Sequence, residues 1–182
     1  GKILRSTVPH ARILNIDAGR ALKVPGVKAV ITGKDFPWDL KYGFSLQTRD
    51  QAPLAQDKVR FIGDELAAVA AIDEDAAEEA LTHIDVEYEM LPAVFDPFEA
   101  MEEGAPLIHD DKPKNISGEL NISYGNVEAG FLESDYVRED EFNTQAVKHG
   151  FIEPHAALGQ WEPPGGAEDP AQVIRVAAQR AG

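Results

Sequence analysis

The sequence contains no cysteine among its 182 residues. Disulfide bonds, thiolate zinc sites and cysteine-ligated iron–sulfur clusters are therefore excluded within this chain. The apolar runs are short, so no membrane span is expected. The first residues also lack the apolar core of a secretory signal peptide. These absences predict a soluble protein of a reducing compartment, and we expect it in the cytoplasm.

Positive charge is scarce. The chain carries 17 lysine and arginine residues against 32 aspartate and glutamate residues, which gives a formal net charge of −15. Such a surface repels phosphate backbones, so nucleic-acid binding is not expected. The simplest explanation of the acidity is solubility.

The common catalytic motifs are missing: there is no G-x-G-x-x-G, P-loop, H-E-x-x-H or G-x-S-x-G. His149 and His155 lie six residues apart with Glu153 between them, but a metal site would need a third ligand and a fixed turn. A carboxylate in the apolar run "GFIEPHAAL" is costly unless it is paired. We therefore favour structural roles for these three residues and assign no catalytic, cofactor-binding or metal-binding residue.

An orderly unit runs from Asp57 to Val94, "DKVRFIGDELAAVAAIDEDAAEEALTHIDVEYEMLPAV". Val59, Phe61 and Ile62 suit a strand. The run "LAAVAAI" has no polar face, which predicts a second strand that is buried on both faces. Asp73 is a plausible N-cap for the helix that follows.

The apolar residues of that helix recur at helical spacing, and the next segment alternates between apolar and acidic residues. We expect a helix over Asp75–Ile84 packed on a sheet and then a half-exposed strand up to Met90. The residues predicted to form the apolar stripe of the helix are Ala76, Ala77, Ala80, Leu81 and Ile84.

The flanking segments are less regular. Before the unit, "ILNIDAGRALKVPGVKAVIT" predicts a strand, a short helix capped by Asp17 and another strand. Residues Trp38–Pro53 predict a long loop, of the kind that borders a site or an interface. After Pro97 we expect a short helix, a connecting loop, a strand in "SGELNIS", a helix at Val127–Ser134, strands from Tyr136 and over Ala156–Trp161, and a weakly helical tail. The composition and pattern are those of an α+β protein.

The order of several short stretches resembles the molybdenum-binding large subunit of the xanthine dehydrogenase/aldehyde oxidase family of molybdenum hydroxylases. These stretches are "RSTVPHARI", "ALKVPGVKAVITGKDFP", the segment "PLAQDKVRFIGDELAAVAAIDEDAAEEALTHIDVEYEMLPAV", "GAPLIHDD", "YGNVEAGFLESDYVREDEF" and "HGFIEPHAAL". Each is loose alone, but together they follow the family order over most of the chain.

The resemblance implies a fold and a domain plan. Residues 1–97 would form an α/β hammerhead domain, a mixed sheet with packed helices. Residues 98–115 would be a linker, 116–163 the beginning of a molybdopterin-binding domain, and 164–182 a tail. The family's cofactor-contacting glutamine segment, its glycine-rich loop and its late catalytic glutamate have no counterpart here. We therefore expect a scaffold piece of a longer subunit that is inactive alone.

In the complete enzyme, the resemblance implies oxidation of an aldehyde, an N-heterocycle or an aromatic substrate, or reduction of a hydroxybenzoyl-CoA-type thioester. It implies no cofactor in this chain, and molybdopterin with iron–sulfur clusters and FAD on other domains or subunits. Expected partners are the remainder of the molybdenum subunit, those redox domains and, through exposed strand edges, a second copy in a dimer. Two alternatives stay open: a free-standing hammerhead-type interaction module and an unrelated small α+β binding protein.

Overall fold

The computed structural model describes residues 1–43, 49–145, 147, 150, 152, 156–162 and 173–179. The chain divides into two compact units, Gly1–Ile122 and Ser123–Gly182. Within the described ranges, no helix is long and apolar enough to cross a membrane.

The first unit contains two three-stranded antiparallel sheets. One has the strand order β1-β5-β3 and the other β4-β2-β6. The strands are β1 Lys2–Arg5, β2 Ala11–Asp17, β3 Val27–Thr32, β4 Lys58–Val59, β5 Glu65–Ala71 and β6 Asp85–Met90. This α+β architecture confirms the predicted fold class, although the sequence pattern did not separate the strands into two sheets.

Helix α1 (Glu74–Leu81) packs on the first sheet. Its N-terminus is capped by Asp73, whose Oδ1 accepts a hydrogen bond from Ala76 N at 2.8 Å, as the sequence predicted. Ala77 and Ala80 are fully buried against Ala67 and Val69 of β5. Small side chains let the helix lie close to the strand, so the predicted apolar stripe does face the sheet.

A second core lies between the two sheets. Leu66 points away from α1 and packs with Ala11, Ala55 and Val59. Since Leu66 and Ala67 are both buried, β5 is covered on both faces at its start, as predicted. The prediction of burial on both faces is wrong at the C-terminal end of β5, where Ala70 is exposed.

The prediction of a strand through Phe61 and Ile62 is wrong. The ladder ends at Val59, and both side chains lie in a turn with 55% and 64% of their surface exposed. The turn is fixed by Asp64, whose Oδ2 accepts from Arg60 N at 2.9 Å. Gly63 adopts a φ of 101° there, which few residues other than glycine tolerate. The turn geometry therefore overrides the strand preference of two apolar residues.

After the second sheet, α2 (Pro97–Ala100) starts at Asp96, whose Oδ1 accepts from Phe98 N at 2.8 Å. The connecting segment then folds back onto α2 through Asn115. The Asn115 side chain donates to the carbonyl oxygens of Ala100 at 2.9 Å and Pro106 at 3.0 Å. It also accepts from Ile108 N at 2.8 Å. The Asn115 side chain thus anchors the segment that was predicted as a linker.

In the second unit, α3 (Val127–Glu133) confirms the helix predicted there. The strand predicted over Ala156–Trp161 is also present, as β7 (Ala156–Glu162), and it pairs antiparallel with β8 (Val173–Gln179). The prediction of a weakly helical tail is wrong, since Val173–Gln179 form β8. The β-branched residues of "VIRVAAQ" suit a paired strand.

Two further expected strands are absent from the described residues between 116 and 145. "SGELNIS" and the segment from Tyr136 have no regular secondary structure. Their apolar residues lack a neighbouring strand with which to form a ladder, and a strand is stabilised only by such pairing.

Candidate functional site

A cavity of about 300 Å³ lies in the first unit, beside the long loop that follows Trp38. The backbones of Tyr42 and Gln51 pair across the base of this loop, with N–O distances of 2.8 and 3.2 Å. The cavity is lined by Lys41, Tyr42, Asp50, Gln51, Ala52, Ala55, Gln56, Asp57, Arg60, Phe61, Asp64, Glu65 and His109. The loop therefore borders a cavity, and the prediction that it borders a site or an interface stays a prediction.

Gln56 lines the cavity and is held by three backbone carbonyl groups. Its Nε2 donates to the carbonyl oxygens of Gly33, Phe36 and Pro37 at 3.3, 3.4 and 3.3 Å. The backbone also approaches closely here, because a Cβ on Gly33 would lie 2.2 Å from the carbonyl oxygen of Ala55. There is consequently no room for a larger residue at position 33.

Arg60 and two carboxylates form the wall on the side of the turn. Arg60 Nη1 donates to Lys58 O at 3.0 Å, and Nη2 lies 3.6 Å from Asp57 Oδ1. Burial raises the pKa of Asp64, although the Arg60 backbone N–H opposes the shift. Nη1 and Nη2 of the arginine thus have partners within the wall, while its buried Nε has none among the described residues.

Tyr42 and His109 also line the cavity. Burial raises the pKa of Tyr42, and the charges of Glu65 and Asp64 add to the effect. Burial lowers the pKa of His109, and the charge of Arg60 lowers it further, so the imidazole is neutral at pH 7.

The formal charge of the cavity is negative, since four carboxylates line it against one lysine and one arginine. Such a wall favours a neutral or cationic polar group over an anion. Among the described residues, no group of three or more histidine, aspartate or glutamate side chains is arranged to hold a metal ion.

Lys58 connects the sheets to the segment that carries His109. Its side chain is 5% exposed, and Nζ lies 3.0 Å from Asp110 Oδ1 and 3.3 Å from Leu107 O. A buried cation needs such partners, so this contact holds the "LIHDD" stretch against β4. Sequence reasoning missed it, because nothing in the pattern marks Lys58 as buried.

The residues weighed as candidates from the sequence, His149, Glu153 and His155, fall outside the described residues, and their structural assignment stays a prediction. Sequence reasoning did not single out Asp64 or His109, which the fold brings to one cavity. His109 lies in "GAPLIHDD", one of the stretches that resemble the family. Nothing else in the sequence marked it as a candidate.

Comparison with known proteins shows the family to which this chain is similar. Residues 1–92 match the sequence model of the aldehyde oxidase and xanthine dehydrogenase a/b hammerhead domain. The chain belongs to this family. Residues 108–169 match the molybdopterin cofactor-binding domain, so both parts occur in the order that the sequence predicted.

Relatives in the xanthine dehydrogenase/aldehyde oxidase family include the nicotinate dehydrogenase large molybdopterin subunit of Eubacterium barkeri. It is 40% identical over 160 residues, which cover 88% of this chain and 37% of the relative. A probable xanthine dehydrogenase subunit of Bacillus subtilis is 39% identical over 91% of this chain and 22% of the relative. The chain thus spans well under half of the length of these curated relatives.

Among solved structures, quinoline 2-oxidoreductase from Pseudomonas putida 86 is similar, with a TM-score of 0.74. The sequences are 33% identical over 88% of this chain and 21% of the other chain. The hammerhead fold and the family resemblance inferred from the sequence are therefore confirmed.

The lining of this cavity does not fit a molybdopterin group. That group carries a phosphate, which proteins hold with backbone N–H groups and cations. The cavity offers a wall richer in carboxylates than in cations. The charge of this lining opposes binding of the cofactor in this cavity.

Proposed function

We propose that this chain is a scaffold portion of a molybdenum hydroxylase large subunit, comprising its hammerhead domain and the beginning of its first molybdopterin-binding domain. The observation that carries the proposal is the succession of the two family matches, over residues 1–92 and 108–169. The rigid first unit, with two cores and an anchored connecting segment, suits such a role.

The chain alone neither retains molybdopterin nor oxidises a substrate in this proposal. The support is the poor fit between an anionic cofactor and the carboxylate-rich cavity. Iron–sulfur clusters need thiolate ligands, and the chain has no cysteine. Electron transfer through such clusters, and through FAD, therefore belongs to other domains or subunits.

The complete enzyme would oxidise an aldehyde, an N-heterocycle or an aromatic compound, and we propose the N-heterocycle class. Its support is that the relatives include proteins named for nicotinate and for quinoline, which are both nitrogen heteroaromatic compounds. Molybdopterin, when bound in the complete subunit, supplies the redox centre of that reaction.

The partners proposed are the remainder of the large subunit and the iron–sulfur and FAD subunits. Relatives are themselves named as subunits, which supports an assembly. The alternative, a free-standing hammerhead-type module without catalysis, would have the same first unit. A neighbouring reading frame that encodes the glycine-rich loop and the late glutamate would favour the large-subunit proposal over this alternative.

A domain graft tests the proposal. The matching region of the Eubacterium barkeri large subunit is replaced by this chain, and molybdenum is measured per purified subunit. We expect the graft to hold molybdenum while the chain alone does not. A graft carrying Ala80→Trp, which disrupts the α1 core, serves as the control and should lose the metal. Stoichiometric molybdenum in the isolated chain, with turnover of an aldehyde, would overturn the proposal.

A further inference from the structure

The cavity beside the long loop after Trp38 contains polar atoms that lack a partner. Among the described residues, three buried side-chain polar atoms have no hydrogen-bond partner. Two of them, Gln56 Oε1 and Arg60 Nε, belong to residues that line this cavity. A buried donor or acceptor without a partner costs stability, and such groups are normally satisfied in folded proteins. A molecule bound in the cavity would satisfy both atoms.

The volume of the cavity is that of a small-molecule site. At about 300 Å³, it is roughly ten times the share of one water molecule in the liquid and lies at the lower end of the range of ligand pockets. Part of its lining is apolar and comes from Tyr42, Ala52, Ala55 and Phe61. Water gains no hydrogen bond from such surface, so a ligand with an apolar body suits the cavity better than a cluster of waters.

The cavity belongs to one compact unit of the chain. Its lining residues all fall within Gly1–Ile122, and all of them except His109 lie inside the hammerhead match. Contacts within that unit hold the lining in place: the backbones of Tyr42 and Gln51 pair, and three carbonyl groups bind the Gln56 side chain. The two unpartnered atoms are thus enclosed by the hammerhead fold itself.

Hydrogen bonding and charge together define the chemistry of the ligand. Gln56 Oε1 is an acceptor and requires an N–H or O–H donor, whereas Arg60 Nε is a donor and requires an acceptor. Four carboxylates in the lining against Lys41 and Arg60 disfavour an anion. A cationic amidine would donate to Gln56 but would offer no acceptor to Arg60. An uncharged carboxamide supplies both the donor and the acceptor.

We infer that this cavity is a binding site for a small uncharged carboxamide, open-chain or cyclic, that carries a flat apolar body. Its carbonyl oxygen accepts from Arg60 Nε, its N–H donates to Gln56 Oε1, and its apolar body lies against the rings of Tyr42 and Phe61. The inference goes beyond the proposed function, because it gives the hammerhead domain a ligand of its own, separate from molybdopterin.

A series of benzene derivatives of nearly the same shape tests the chemistry. Benzamide, acetophenone, benzamidine and benzoate are each titrated into the full chain at pH 7, and binding is followed by ¹H–¹⁵N NMR. We expect benzamide to bind with a Kd on the order of 1 mM, as is typical of a ligand of this size. Acetophenone, which only accepts, and benzamidine, which only donates, should bind about tenfold more weakly. Benzoate should not bind, because the lining is negative.

The Arg60 side chain gives a direct readout. Arg60→Lys keeps the positive charge and removes Nε, so it should weaken benzamide binding about tenfold. The control is Arg12→Lys, the same exchange at an exposed ion pair with Glu89 outside the cavity lining, and it should bind as the wild type does. In the wild type, the Arg60 Nε–H resonance, assigned by its loss in Arg60→Lys, should shift as benzamide is added.

Filling the cavity tests its location. Ala52→Phe places a ring among the lining residues and should abolish benzamide binding. Ala70→Phe, at an exposed position of β5 outside the lining, should leave binding unchanged. Urea denaturation verifies that each variant is folded. Should either cavity variant fail to fold, the ligand series and the Arg60 Nε–H resonance of the wild type decide the matter alone.

Absence of saturable benzamide binding up to about 20 mM, roughly twentyfold above the expected Kd, would mean that the cavity holds only water and would overturn the inference. Equal affinity for benzamide and acetophenone would also overturn it, as would an Arg60 Nε–H resonance that does not move or a folded Ala52→Phe variant with unaltered binding. No readout involves molybdenum, so each of these outcomes leaves the proposed function standing.

Discussion

Lys58 and Asp110 form an ion pair that joins the second sheet to the connecting segment, with Nζ and Oδ1 3.0 Å apart. The two partners differ in environment, because the lysine side chain is 5% exposed and the aspartate 77%. The bond to Lys58 lowers the pKa of Asp110. A buried cation thus depends on an exposed anion.

This asymmetry predicts unequal effects of substitution. Asp110→Ala leaves a buried ammonium with only the Leu107 carbonyl, so it should lower the free energy of unfolding by about 1–2 kcal/mol after allowance for solvent screening. Lys58→Met removes the buried charge and keeps the side-chain volume, so it should cost less than about 1 kcal/mol. Urea denaturation at pH 7 measures both.

Glu103→Gln, an exposed position nearby in sequence, is the control. Because the folded-state pKa of Asp110 is lowered, its contribution is present above the ordinary aspartate range and is lost as the pH falls through the folded value. An effect of Asp110→Ala that persists undiminished at strongly acidic pH would contradict the ion-pair explanation.

The hydrogen bonds of the Asn115 side chain predict that the stability of the connecting segment depends on this residue. Asn115→Asp replaces the amide that donates to Ala100 O and Pro106 O by an oxygen that repels both carbonyls. We expect a loss of roughly 2–3 kcal/mol in unfolding free energy, with faster amide exchange at Ile108. Asn115 also has a φ of 57°, a backbone conformation that glycine adopts without strain. Asn115→Gly therefore keeps the backbone conformation and removes only the side-chain hydrogen bonds. If the glycine variant is as stable as the wild type, the side-chain bonds are not what anchors the segment.

Periodicity in the sequence was enough to predict α1 and its buried face, because Ala77 and Ala80 recur at the helical interval and nothing in the turn chemistry opposes a helix. It was not enough at Phe61, where a glycine turn overrides the preference of an apolar residue. Nor could it find the cavity, since Tyr42, Asp64 and His109 are distant in sequence and meet only after both sheets form. Long-range contacts of this kind leave no local pattern.

Ala80 provides the sharpest test of the α1 packing. The residue is fully buried against β5, so Ala80→Leu should cost roughly 1–3 kcal/mol by overpacking. Ala70 lies on β5 but is exposed, and Ala70→Leu should change stability by less than about 0.5 kcal/mol. Denaturant midpoints for the pair give the comparison. Equal effects at the two positions would show that α1 does not pack as described.

Removing the charge of Asp64 is predicted to raise the free energy of unfolding at pH 7. Burial disfavours its ionised form and raises its folded-state pKa, so the carboxylate costs stability above that pKa and nothing below the unfolded value. Asp64→Asn keeps an oxygen that can accept from Arg60 N. The variant should be more stable than the wild type at pH 7, by at most about 1 kcal/mol after screening, and equal to it at strongly acidic pH. A less stable variant at pH 7 would mean that the charge itself holds the turn.

His109 is predicted to make the protein less stable as the pH falls, whereas Asp64 makes it less stable as the pH rises. Burial and the charge of Arg60 lower its pKa in the folded state, so the fold is stable with a neutral imidazole and loses stability as the pH falls from the ordinary histidine range through the lowered value. His109→Gln removes that titration and should flatten the stability profile between pH 7 and pH 5 relative to the wild type. His83→Gln is the control, at a histidine outside the cavity lining. A ¹H–¹⁵N titration of the His109 imidazole measures the shift directly, and an His109 pKa above the ordinary histidine value would refute the buried, neutral assignment.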